Sequence, residues 1–160
     1  MNPDQSVRSS NKTLGWIIGI IIIVIAAGLA YWFTQSEKTT EVAPNQTVTT
    51  AADGKTVSNF PDELMLEQDA AIKQSFSLAD KSTGVNQPVV QYVSKRSLSE
   101  NVVAYRNYLA NNGWAISHEA NPAENPTYFY ASNKDGAQLN ITFVESAGQV
   151  SVSIAYANKV

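Results

Sequence analysis

The sequence predicts an α+β protein: an N-terminal transmembrane helix, a disordered linker, then an antiparallel β-sheet with one packed helix. Three observations carry this. Leu14–Phe33, LGWIIGIIIIVIAAGLAYWF, contains no charged side chain. Leu98, Val102, Tyr105 and Leu109 recur at helical spacing between a Ser97-x-x-Glu100 capping signal and Gly113. Leu139, Ile141 and Phe143, and then Val150, Val152, Ile154 and Tyr156, alternate with polar or small residues as half-buried strands do.

Residues 1–13 are polar and too short to bury a core, so they read as a cytoplasmic tail. A helix crosses a hydrocarbon core about 30 Å thick in roughly 20 residues. Residues 14–33 supply that length, with Trp16 at one end and Tyr31, Trp32 and Phe33 at the other, where amphipathic rings favour the headgroup layer. Membrane lipid is therefore the expected partner of residues 14–33. Arg8 and Lys12 precede the span and only Lys38 follows closely, which predicts a single-pass protein with a cytoplasmic N-terminus and its C-terminal domain outside.

Gly15 and Gly19 form GxxxG, and Ala26 and Ala30 continue small residues along nearly the same face. This stripe is a candidate helix–helix contact through which the chain forms a homodimer. A cleaved signal peptide is the competing reading, because Gly28-Leu29-Ala30 resembles a small-residue cleavage site. A pilin-type helix fits less well, since no acid lies inside the apolar run and Pro44 interrupts its continuation.

Residues 34–59 are dominated by Thr, Ser, Gln, Asn and Ala, with Pro44 and Gly54 as punctuation, and read as a flexible linker. Residues 60–160 suffice for one extracytoplasmic α+β domain. Ile72, Phe76 and Leu78 share one parity and predict a strand, and Val89–Ser94 predicts a second, with Pro88 at its start. After the helix come strand signals at Trp114–His118, Thr127–Ser132, Ala137–Val144 and Val150–Tyr156. Asn133–Gly136 and Glu145–Gly148 supply hairpin turns with glycine at a position of positive φ. The predicted order is β-β-α-β-β-β-β.

Phe60-Pro61, a helix ending in Tyr105-Arg106 and Leu109, Gly113-Trp114, and the closing run of alternating Val and Ile resemble a recurrent bacterial architecture. In it, uncharacterised single-pass or lipid-anchored proteins carry a small extracytoplasmic α+β domain with an FP opening and a GW after the helix. The resemblance covers Phe60–Tyr156 and implies a fold but no catalysis. Met65 and Gln68 stand where that architecture commonly has prolines.

Several chemistries lack their residues. There is no cysteine, and His118 is the only histidine, so neither a CxxC site nor a His-based zinc site can form within one chain. No G-x-G-x-x-G, P-loop or G-x-S-x-G occurs. The sequence thus points to no catalytic residue, no metal and no cofactor. Two of the 11 Lys and Arg and one of the 14 Asp and Glu precede the span, so the remainder is acidic and disfavours nucleic acid.

The candidate binding surface is the sheet face away from the helix. If Asn133–Gly136 is a type I turn with a Gly bulge, Phe129 and Ala131 join Leu139 and Ile141 inside. Tyr128 and Tyr130 then point outward beside Asn140 and Thr142. A two-residue Asp135-Gly136 turn would instead bury both tyrosines. The leading expectation is a membrane-anchored module that binds a protein partner or serves a cell-envelope assembly. The alternatives are a small hydrolase or glycan-processing enzyme using His118, Glu119 or Glu124, and a structural spacer oligomerised by its transmembrane helix.

Overall fold

The computed structural model of the protein describes residues 38–43, 45–119, 127–133 and 135–159. The predicted tail, the span with Gly15, Gly19, Ala26 and Ala30, and Glu124 lie outside these residues. Among the described residues, no helix is long and apolar enough to cross a membrane.

Among the described residues, eight strands and one α-helix belong to a compact unit, Gln35–Val160. In chain order they are β1 (Lys38–Ala43), β2 (Gln46–Thr50), β3 (Ala71–Asp80), β4 (Val85–Ser94), α1 (Leu98–Asn111), β5 (Ala115–Glu119), β6 (Thr127–Ser132), β7 (Gln138–Ser146) and β8 (Gln149–Lys159). All pair antiparallel in one sheet of order β1-β2-β3-β4-β8-β7-β6-β5. Two four-stranded meanders thus meet at β4 and β8. Helix α1 carries the chain from the middle of the sheet to its far edge.

The helix forms where its end signals stand. Ser97 Oγ accepts from Glu100 N (3.3 Å) and a Glu100 carboxylate oxygen accepts from Ser97 N (2.8 Å), closing the capping box. Gly113, at φ +73°, ends it, and Trp114 N donates back to Leu109 O at 3.0 Å. The stripe predicted to pack does so: Val102, Tyr105 and Leu109 are buried and Leu98 packs against them. Fully burying an aliphatic side chain of this size is worth about 1.5–3 kcal/mol. The stripe faces Val90, Tyr92, Phe129, Leu139, Ile141, Phe143, Val152 and Ile154 in a single core.

The sheet has two strands more than the sequence predicts, and both come from the stretch read as linker. Thr47, Val48, Thr49 and Thr50 are β-branched, which suits a strand, and β2 pairs with β3 over Gln46–Thr50. Ladder bonds supply what sparse apolar side chains do not. Val57, ahead of the predicted domain start, is also in the core with Phe60, Leu64 and Met65.

The parity predicted for β3 changes within the strand. The register shifts between Ile72 and Gln74, leaving Lys73 as an extra residue, so Ile72 sits opposite Tyr92 on the helix side while Phe76 and Leu78 lie on the other face. Pro88 lies inside β4 rather than at its start, and the β4–β8 ladder is interrupted at Gln87 and Pro88, where one N–H is missing.

A buried polar network ties the segment before β3 to the β4–α1 corner. Ser94 Oγ donates to the Glu67 carboxylate, Lys95 N donates to the same carboxylate at 3.1 Å, and Asn101 Nδ2 donates to Ser94 Oγ at 2.9 Å. Deeper in, Tyr105 Oη donates to Leu64 O at 3.1 Å and lies 2.8 Å from Tyr92 Oη. Burial pushes the Tyr105 hydroxyl up to about 12, and burial together with Tyr105 raises Tyr92 further.

Candidate functional site: the helix-free face of the sheet

The β6–β7 hairpin decides what this face carries. Gly136 N donates to Asn133 O (3.2 Å), Gly136 takes φ +82°, and Asn133 N donates to Ala137 O (3.2 Å). The Asn133 side-chain oxygen also accepts from Asp135 N and Ala137 N, at 3.0 and 2.9 Å. This is the turn with a glycine bulge, and its register pairs Phe129 with Ile141 and Ala131 with Leu139 inside the core. Tyr128 then pairs with Thr142, and Tyr130 with Asn140, on the opposite face.

One row across that face runs Gln91, Ser153, Thr142, Tyr128 over β4, β8, β7 and β6. The next runs Val89, Ala155, Asn140, Tyr130, His118 and reaches β5. Phe76, Val89 and Ala155, cross-strand neighbours on this face, are buried, whereas Tyr128, Tyr130, Asn140, Thr142, Ser153 and Gln91 are half-buried and His118 is exposed. Strands about 4.8 Å apart make the second row roughly 19 Å long.

His118, at the end of the strand signal the sequence shows over Trp114–His118, belongs to an aromatic cluster. Its ring stacks on Tyr128 with centroids 5.3 Å apart and planes at 19°, and Tyr128 Oη lies 3.2 Å from His118 Nε2. Tyr130 meets Tyr128 edge-on at 5.1 Å and His118 at 6.2 Å. A β-bulge makes this possible. The register shifts between Ile116 and His118, so Ile116 opposes Ala131 on the core side while His118 opposes Tyr130 outside. Uninterrupted alternation would have put Ile116 and His118 on one face.

Thr142 Oγ1 donates to Asn140 Oδ1 at 3.0 Å. Partial burial raises the Tyr130 hydroxyl above the ordinary tyrosine value, the neighbouring Tyr128 adds to this, and a hydrogen bond with Asn140 offsets part of it. Tyr130 therefore stays a neutral hydrogen-bonding group at physiological pH. On the rows from Val93, Ser151 and Val144 through Ala157, Gln138, Ser132 and Ala115, no Asp, Glu, Lys or Arg occurs. These rows offer stacking and hydrogen bonding without a carboxylate, ammonium or guanidinium group.

Of the residues named for an alternative enzyme, the two that are described, His118 and Glu119, face opposite sides of the sheet. Glu119 lies on the helix side and forms an ion pair with Arg106 of α1, while His118 faces the other way. Among the described residues, no three His, Asp and Glu side chains gather as metal ligands would. A cleft of about 390 Å³ between residues 57–59 and β3–β4 is bridged by its own side chains. There Asn59 Nδ2 donates to Ser77 Oγ (2.9 Å), and Ser77 Oγ donates to Asn86 Oδ1 (2.8 Å).

Fold and surface together define an antiparallel α+β domain with a helix on one face and an aromatic cluster on the other. Comparison with known protein families, with curated proteins and with solved structures finds no match to this chain.

Proposed function

We propose that the protein is a single-pass, membrane-anchored module whose domain lies outside the membrane and engages a partner of the cell envelope through the helix-free face of its sheet. The observation that carries this is the cluster of His118, Tyr128 and Tyr130 beside Asn140 and Thr142. Aromatic rings with polar tips bury large areas at little conformational cost and are enriched where surfaces meet. The uncharged run Leu14–Phe33 and the basic residues ahead of it support the address. The resemblance carried by Phe60-Pro61 and Gly113-Trp114 supports the same placement of an anchored domain.

In-cell photocrosslinking tests the reading. A benzophenone amino acid at position 142 is expected to yield a discrete adduct, and the same probe at Asn107, exposed on α1, is expected to yield none. Equal adducts from both positions, or no adduct at 142, would overturn it.

A further inference from the structure

We infer that the ligand of this face is an uncharged glycan strand lying across the sheet, an inference that rests on the face being the contact surface. Polarised C–H groups of a sugar ring pack on the electron-rich faces of aromatic rings, and the partly exposed His118, Tyr128 and Tyr130 cluster supplies such a platform. Sugar hydroxyls both donate and accept, and so do the groups in line with the platform: Asn140, Thr142 and, one strand further, Ser153.

Charge narrows the class. A phosphate- or carboxylate-bearing polymer calls for Lys or Arg, and these rows hold neither. The protein beyond the span is itself acidic and repels polyanions. An extended peptide is less well matched, because it adds at a sheet edge rather than across strands. Geometry agrees with a linear saccharide. The rows advance one strand at a time, by about 4.8 Å, close to the advance of one ring in an extended glycan chain.

The test uses the full chain in mild detergent and three hexasaccharides: β-1,4-linked glucose, β-1,4-linked N-acetylglucosamine, and galacturonic acid as the anionic control. At least one neutral hexamer is expected to bind saturably, with the anionic one at least tenfold weaker. Tyr128→Ala and the milder Thr142→Ala are expected to weaken binding about tenfold or more and threefold or more, respectively. Both should keep the wild-type circular dichroism, and Val103→Ala, on the exposed side of α1, should bind as wild type. Binding that survives both face variants, or preference for the anionic hexamer, overturns the inference. If no hexamer binds while the probe at position 142 still crosslinks a protein in cells, the glycan assignment falls and the contact face stands. If both fail, both readings fall.

Discussion

Replacing Tyr105 by Phe removes one hydroxyl and strands two groups in the core. Tyr105 Oη donates to Leu64 O and, its own proton committed, accepts from Tyr92 Oη 2.8 Å away. Both tyrosines are fully buried, so no solvent replaces the lost partner. Each orphaned group costs about 1–3 kcal/mol, giving about 2–6 kcal/mol for Tyr105→Phe. Tyr92→Phe removes only the outer member of the chain and leaves the Tyr105–Leu64 bond intact, so it should cost about 1 kcal/mol. In the double variant the Tyr92 orphan is gone, and stability should recover by about 1–2 kcal/mol relative to Tyr105→Phe alone. Denaturant unfolding of the full chain in mild detergent, run on all four proteins, measures this cycle. Equal costs for the two single variants, or effects that add within about 0.5 kcal/mol, would refute the assigned direction of the hydrogen bonds.

The same pair predicts alkaline sensitivity. Tyr105 is pushed up to about 12 and Tyr92 is raised further, so the folded state holds protons that the unfolded state releases near pH 10. Their contribution is intact below about pH 10 and is lost as pH rises through about 12. Unfolding midpoints that stay flat from pH 9 to 12 would contradict this. Ser97→Ala removes the acceptor for Glu100 N and should cost about 1 kcal/mol, visible as a lowered melting temperature. Gly113→Ala meets no atom within 4 Å of the new Cβ, so its cost should be only that of the left-handed conformation, about 1–2 kcal/mol. A much larger loss would mean that the helix end is packed more tightly than the geometry indicates.

Helix α1 was legible because its signals are local: a capping box, a stripe at helical spacing and a stopping glycine all lie within one short segment. The β6–β7 register was a choice between two turns, resolved by Asn133, whose side-chain oxygen accepts two backbone N–H groups, and by Gly136 at positive φ. Legibility ended where long-range pairing or a single extra residue intervened. Lys73 in β3 and Ser117 in β5 each shift a register, and neither residue type announces a bulge. The first sends Ile72 to the core and the second sends His118 out to the tyrosines. Strands β1 and β2 escaped notice because their stability comes from backbone pairing with β3 rather than from a run of large apolar side chains. The pairing of β4 with β8 joins segments far apart in the chain, which no local pattern specifies.

Thiol labelling in intact cells tests the placement and the working face together, because the chain has no cysteine of its own. Val144, 41% exposed on the helix-free face, and Asn107, exposed on α1, can each be changed to Cys. With a maleimide that does not cross the cell membrane, Asn107→Cys should react readily in intact cells. Val144→Cys should react in the purified protein but be shielded in cells. Labelling of both only after the membrane is permeabilised, or equal labelling of the two in intact cells, would contradict the account.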